Sequence, residues 1–261
     1  LAESGLAEEA EDGSAWTLTD PADGPGTMAL MQTISLEASK HVAEAALLAR
    51  LSTDLSSLLR DGLKGSARDL YASGLFEAYA TASPAAIALG TAQKTLATEI
   101  IGNWPEDQPL RVLIAGSTSL DVAQTVDRLL DPRRMTAIVT DASDAVLGRA
   151  ARLWSGSTST SFVDFSDEVL NAAAPFDLIL CASSLADLSR EQIRQLSDLL
   201  ARDGLLLASE HLPSPLSDLI MGVGSDWWDE KASDEVAVSR QSADWQDVLS
   251  RAGFERIETV A

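Results

Sequence analysis

Two periodicities divide the chain. Between residues 27 and 104 apolar positions recur at helical spacing. Leu47, Leu48, Leu51, Leu55, Leu58 and Leu59 fall on one face of a helix, and Gly62 is placed to end it. Ser66 can cap a second helix carrying Leu70, Tyr71, Leu75 and Phe76. Ser83-Pro84 supplies an N-cap and first-turn pair for a third, running to Gly102. From residue 110 short apolar runs, at 111–115, 136–140, 160–164, 177–182 and 204–209, alternate with helical stripes. One stripe is Val122, Ala123, Val126, Leu129 and Leu130. Another is Val146, Leu147, Ala150, Leu153 and Trp154, capped by Ser143. Ser189 and Gln192 form a capping box for a helix over 190–202, with Gly204 as its stop. Strands alternating with helices predict an α/β, doubly wound parallel sheet, preceded by an all-helical subdomain. The boundaries that follow are a linker over 1–26, acidic and rich in Gly and Pro, a helical N-terminal subdomain over 27–104, which could serve as a lid over the next domain or equally as plain packing, and an α/β core over 105–261.

In such a sheet ligands bind beyond the carboxyl ends of the strands. That singles out residues 116–120, Asp141, Asp164, and residues 183–187 and 209–211. The segment 110–121 reads as buried strand, tight turn and helix start, the usual seat of a nucleotide-type cofactor on a glycine-rich loop. Here the loop has Gly116, then Thr118 and Leu120. Asp141 directly follows a strand, and its two acceptor oxygens match a ribose diol. It stands equally well as a carboxylate that helps Ser143 start the next helix. Asp164 carries the same two readings.

Composition narrows the field. Forty acidic residues against nineteen basic ones give a net charge of −21, and nucleic acid and anionic membranes are bound mainly through Lys and Arg. Neither is expected as a partner. No apolar run approaches the roughly 18 residues of a membrane span. The single cysteine, Cys181, and two histidines, His41 and His211, exclude an internal disulfide and leave no metal site to expect. Cys181 and His211 fall at the ends of adjacent predicted strands, with Asp187 close in sequence, so a thioester-cleaving Cys/His pair is one option. A lone Cys in an apolar strand is more often core filler. The chain opens at Leu1 without a signal pattern and reads as a piece of a longer cytoplasmic polypeptide.

From 103 onward the ordered segments resemble class I S-adenosylmethionine methyltransferases, and more closely the C-methyltransferase domains of polyketide synthases. The segments are Asn103-Trp-Pro, Arg111-Val-Leu-Ile-Ala-Gly116, Val139-Thr-Asp141-Ala-Ser143, Pro175-Phe-Asp-Leu-Ile-Leu180 and Leu200-Ala-Arg-Asp-Gly204. Pro213 to Gly222, followed by Asp226-Trp227-Trp228, is the most family-specific stretch, and Trp245, Leu249 and Ala252-Gly253-Phe254 match the last helix and turn. The resemblance implies a class I methyltransferase sheet, a helical N-terminal subdomain, and a setting among other synthase domains, possible acyl carrier protein contact included.

The chain departs from that family where chemistry is done. The family's first motif is an acid followed by Gly-x-Gly-x-Gly. Its positions fall on Ile114, Gly116, Thr118 and Leu120. Thr118 is β-branched and resists positive φ. Leu120 puts an isobutyl group in or beside the cofactor's space, at a cost of about a few kcal/mol, roughly a hundredfold in affinity. The family's base, a His after the fourth strand, falls on Ala186. The Glu that supports it falls on Ser209, with Glu210 and His211 adjacent. The resemblance therefore implies an inactive pseudo-methyltransferase with no catalytic residue and no cofactor, and a structural role beside neighbouring synthase domains. The alternative is an active C-methyltransferase acting on a β-ketoacyl chain, using Gly116, Asp141 and Asp164 for S-adenosylmethionine and His211 or Glu210 as base.

Overall fold

A computed structural model describes residues 7–9, 16–18, 26–61, 74–116, 120–141, 143–156, 159–166, 168–182, 185, 188–212, 214, 220 and 242–259. Within 1–26, read above as linker, β1 (Ala7–Glu9) and β2 (Trp16–Leu18) pair antiparallel. The helices α1 (Thr27–Glu37), α2 (Val42–Asp61), α3 (Gly74–Ala82) and α4 (Pro84–Gly102) follow. Gly62, Ser66, Leu70 and Tyr71 lie outside the described residues. Leu47 and Leu51 of α2 pack with Ile220, and Leu75, Phe76 and Tyr79 of α3 close over them. The Ser83-Pro84 start is made as the sequence suggests: the buried Ser83 hydroxyl accepts the Ala86 N–H at 3.2 Å, and Pro84 opens the helix.

The second half alternates strand and helix. β3 (Leu110–Ala115), α5 (Leu120–Leu129), β4 (Met135–Thr140), α6 (Asp144–Leu153), β5 (Thr160–Phe162), α7 (Glu168–Ala173), β6 (Phe176–Ala182), α8 (Arg190–Leu199), β7 (Leu200–Ser209) and α9 (Ser242–Ala252) run in that order. The strands form one parallel sheet in the order β5-β4-β3-β6-β7. Helices cover both faces, which is why the central strands read as continuous apolar runs rather than alternating ones. Leu113, Ile179 and Cys181 bury on one face with Ile193 and Leu196 of α8. Val112, Ile114, Leu178 and Leu180 bury on the other, with Ala97 and Ile101 of α4 and Val122 and Val126 of α5. Each fully buried Leu or Ile contributes roughly 1.5–3 kcal/mol.

Two sequence expectations change. β5 stops at Phe162 rather than 164, although the Val163 N–H still reaches the Val139 carbonyl at 3.0 Å. The helix placed over 190–202 ends at Leu199. Its capping box is made, but Leu200 is already extended (φ −75°, ψ 138°) and opens β7 four residues before 204. Gly204 is therefore not a helix stop. A Cβ there would sit 2.9 Å from the Phe176 carbonyl, and the β6–β7 register shifts between Phe176 and Leu178. Glycine is required so that two backbones can approach at that irregularity.

Candidate functional site

Gly116 directly follows β3, and its φ of 101° is closed to most side chains. Its N–H donates to the Thr140 carbonyl at 2.8 Å, carrying the β3–β4 ladder one residue past the strand. Thr118 lies outside the described residues. Leu120 is the first residue of α5 and is half-buried. Ile114, at the expected acid position, is buried among Val112, Val139 and Leu180.

Asp141 follows β4 and is buried. Its Oδ1 accepts the Ser143 N–H at 2.9 Å, while the Ser143 hydroxyl accepts from Val146 N–H at 3.5 Å. This bond serves the start of α6. Asp164 lies beyond β5. Its Oδ1 accepts from Ser166 twice, from the N–H at 2.7 Å and from the hydroxyl at 2.5 Å. It also shares a hydrogen bond with Asp144 at the start of α6. That bond, with the Ser166 donors second, pulls the Asp164 carboxyl from its ordinary 3.8 to about 2. The same bond, and then the Asp164 charge, raises Asp144.

On the other side of the sheet, Cys181 is fully buried, its side chain in the cluster with Leu113, Ile179 and Leu185. An incoming thioester has no exposed thiol to meet, so the Cys/His reading loses its nucleophile. Ala186, Asp187 and Trp227-Trp228 lie outside the described residues. Ser209 ends β7 opposite Ala182, with a buried hydroxyl that has no partner among the described residues. The next residue, Glu210, turns its carboxylate to Leu185, whose N–H its Oε1 accepts at 2.7 Å. Because Glu210 has left the strand, the two-residue alternation that governs β7 no longer fixes its direction. His211 is half-buried, and that burial lowers its pKa below the ordinary 6.5, favouring a neutral imidazole at neutral pH.

Sequence reasoning missed Gln93. This α4 residue is buried, and its Nε2 donates to the Cys181 carbonyl at 2.5 Å and the Leu207 carbonyl at 3.3 Å. The available signal was a lone amide at i, i+4, i+8 spacing with the buried Ala97 and Ile101. Among the described residues no group of three or more His, Cys, Asp or Glu is placed to hold a metal, and no helix is long and apolar enough to cross a membrane. A groove of about 610 Å³ lined by Asn171, Arg190, Arg194 and Asp198 includes none of the carboxyl-end residues above.

The parallel five-stranded sheet and its flanking helices define a class I, Rossmann-like methyltransferase fold. No protein-family model matches the chain, and no curated protein sequence matches it. Solved structures do. The CMeT domain of the citrinin polyketide synthase superposes with a TM-score of 0.82 at 19% identity, covering 98% of this chain and 70% of that one. The CurJ carbon methyltransferase gives 0.75 at 19% identity, covering 100% and 73%. The DszA carbon methyltransferase gives 0.70 at 18% identity, covering 98% and 70%.

Proposed function

We propose that this chain is a non-catalytic, pseudo-C-methyltransferase domain of a polyketide or fatty acid synthase, retained for its shape beside neighbouring domains. The observation that carries the reading is Leu120, half-buried at the first turn of the helix that follows Gly116, at a position where the resembled family has glycine. Three further features support it. The acid position of the first motif is the buried Ile114. Asp141 and Asp164 both bond into the local turns that follow their strands. The base position falls on Ala186. The partners are then the flanking synthase domains, with an acyl carrier protein meeting the surface weakly, in the cytoplasm where such synthases work.

A second reading has two observations in its favour. Gly116 has a positive φ, and burial lowers the pKa of His211 near the carboxyl end of β7. An active S-adenosylmethionine-dependent C-methyltransferase with a divergent loop would use that imidazole as base toward a β-ketoacyl chain. The two readings separate on one assay. Incubation with S-adenosylmethionine and a β-ketoacyl thioester gives no α-methylated product on the first reading. Product that disappears in His211→Gln establishes the second.

A further inference from the structure

The buried stripe of α4 consists of Gln93, Ala97 and Ile101. The two apolar members lie on the face of the sheet that carries Val112 and Ile114. Gln93, one turn earlier, reaches the carboxyl ends of β6 and β7 and donates to a carbonyl on each, Cys181 and Leu207. Two carbonyl acceptors fix the orientation of the amide, since only its NH2 can donate. Oε1 is therefore the atom left over, and it is buried without a partner among the described residues. The next residue, Lys94, pairs with Asp121, which immediately follows Leu120 in the first turn of α5. Consecutive residues of one helix are thus tied to two separate places: the ends of β6 and β7, and the helix that leaves the Gly116 loop.

We propose that Gln93 and Lys94 form a two-point clasp that holds the first half of α4 against the ends of β6 and β7 and against the start of α5. An aliphatic residue at 93 would continue the apolar stripe without stranding a polar oxygen, so packing alone does not call for glutamine. What glutamine adds is direction, two donors aimed at two strands. An apolar residue there would leave the Cys181 and Leu207 carbonyls without this donor. The clasp is independent of catalytic competence, so its failure would leave the proposed function standing, and the reverse.

Amide hydrogen exchange on the whole chain tests it, in Gln93→Met and separately in Lys94→Met. The expected result is exchange about tenfold faster in 84–95 and in 205–212, with 110–115 and 135–140 unchanged, the signature of a local opening. Lys94 is solvent-accessible, so its variant reads the clasp even where Gln93→Met does not fold. Unchanged exchange in α4 in the Lys94 variant, or an increase spread evenly over the sheet, would overturn the proposal.

Discussion

Glu210 and Leu185 are joined across the carboxyl ends of β7 and β6. The Glu210 carboxylate accepts the Leu185 backbone N–H at 2.7 Å, and Leu185 is itself buried. The residue after Leu185 is Ala186, where the resembled family carries its base. Glu210→Ala would strand the Leu185 N–H and is expected to cost about 1–3 kcal/mol of stability. Glu210→Gln, which keeps an acceptor, is expected to cost less. Urea unfolding of the two variants reads the difference, and equal losses would show that the Leu185 bond contributes nothing.

The Asp144–Asp164 pair predicts a two-step titration. Asp164 is depressed to about 2 and Asp144 is raised, so one proton is shared between them over the interval that separates the two values. The sign differs for each. Asp164 adds stability above its ordinary 3.8 and loses it as pH falls through about 2. Asp144 favours the folded state below 3.8 and loses that as pH rises through its raised value. Carboxyl-carbon NMR of Asp164→Asn should show Asp144 back toward its ordinary range, and an unchanged Asp144 titration would break the assignment.

His211 makes a separate acid-side prediction. Its folded pKa is lowered by burial, so its contribution to stability is present above 6.5 and is lost as pH falls through that lowered value. In His211→Phe the fall in stability on acidification from pH 7 should become shallower, as measured by unfolding midpoints across that range. An unaltered slope would mean the imidazole is not desolvated.

Ser83 caps α4 with a hydroxyl that is almost completely buried. Ser83→Ala is expected to cost about 1 kcal/mol, and Ser83→Asp to keep most of the cap. Thermal unfolding of the two variants checks the order.

How much of this was legible in the sequence depended on whether the signal was local. The Ser83-Pro84 start, the Ser189–Gln192 box and the Ser143 cap are each settled within four residues, and all three form. The parallel sheet was legible because fully covered strands must be apolar throughout. Gly204 misled because a glycine after a helical stripe looks the same whether it ends a helix or admits a neighbouring backbone. The Phe176 carbonyl that decides the matter is 28 positions away in sequence. Gln93 and Glu210 act on partners 88 and 25 residues distant, and strand alternation is silent for Glu210, which lies just past the strand end.

A loop rebuilt to the resembled motif separates the two departures from it. A variant with Ile114→Glu, Thr118→Gly and Leu120→Gly together restores the resembled motif but leaves Ala186 in place. No methylated product is expected from it. Product from this variant would show that the base lies elsewhere, with His211 the first residue to remove.

The most direct test of the central claim is calorimetric titration of the purified domain with S-adenosylmethionine. With Leu120 at the start of α5 and no acid at Ile114, no saturable heat is expected. Binding at micromolar concentration would contradict the account and turn the divergent loop into a working cofactor site.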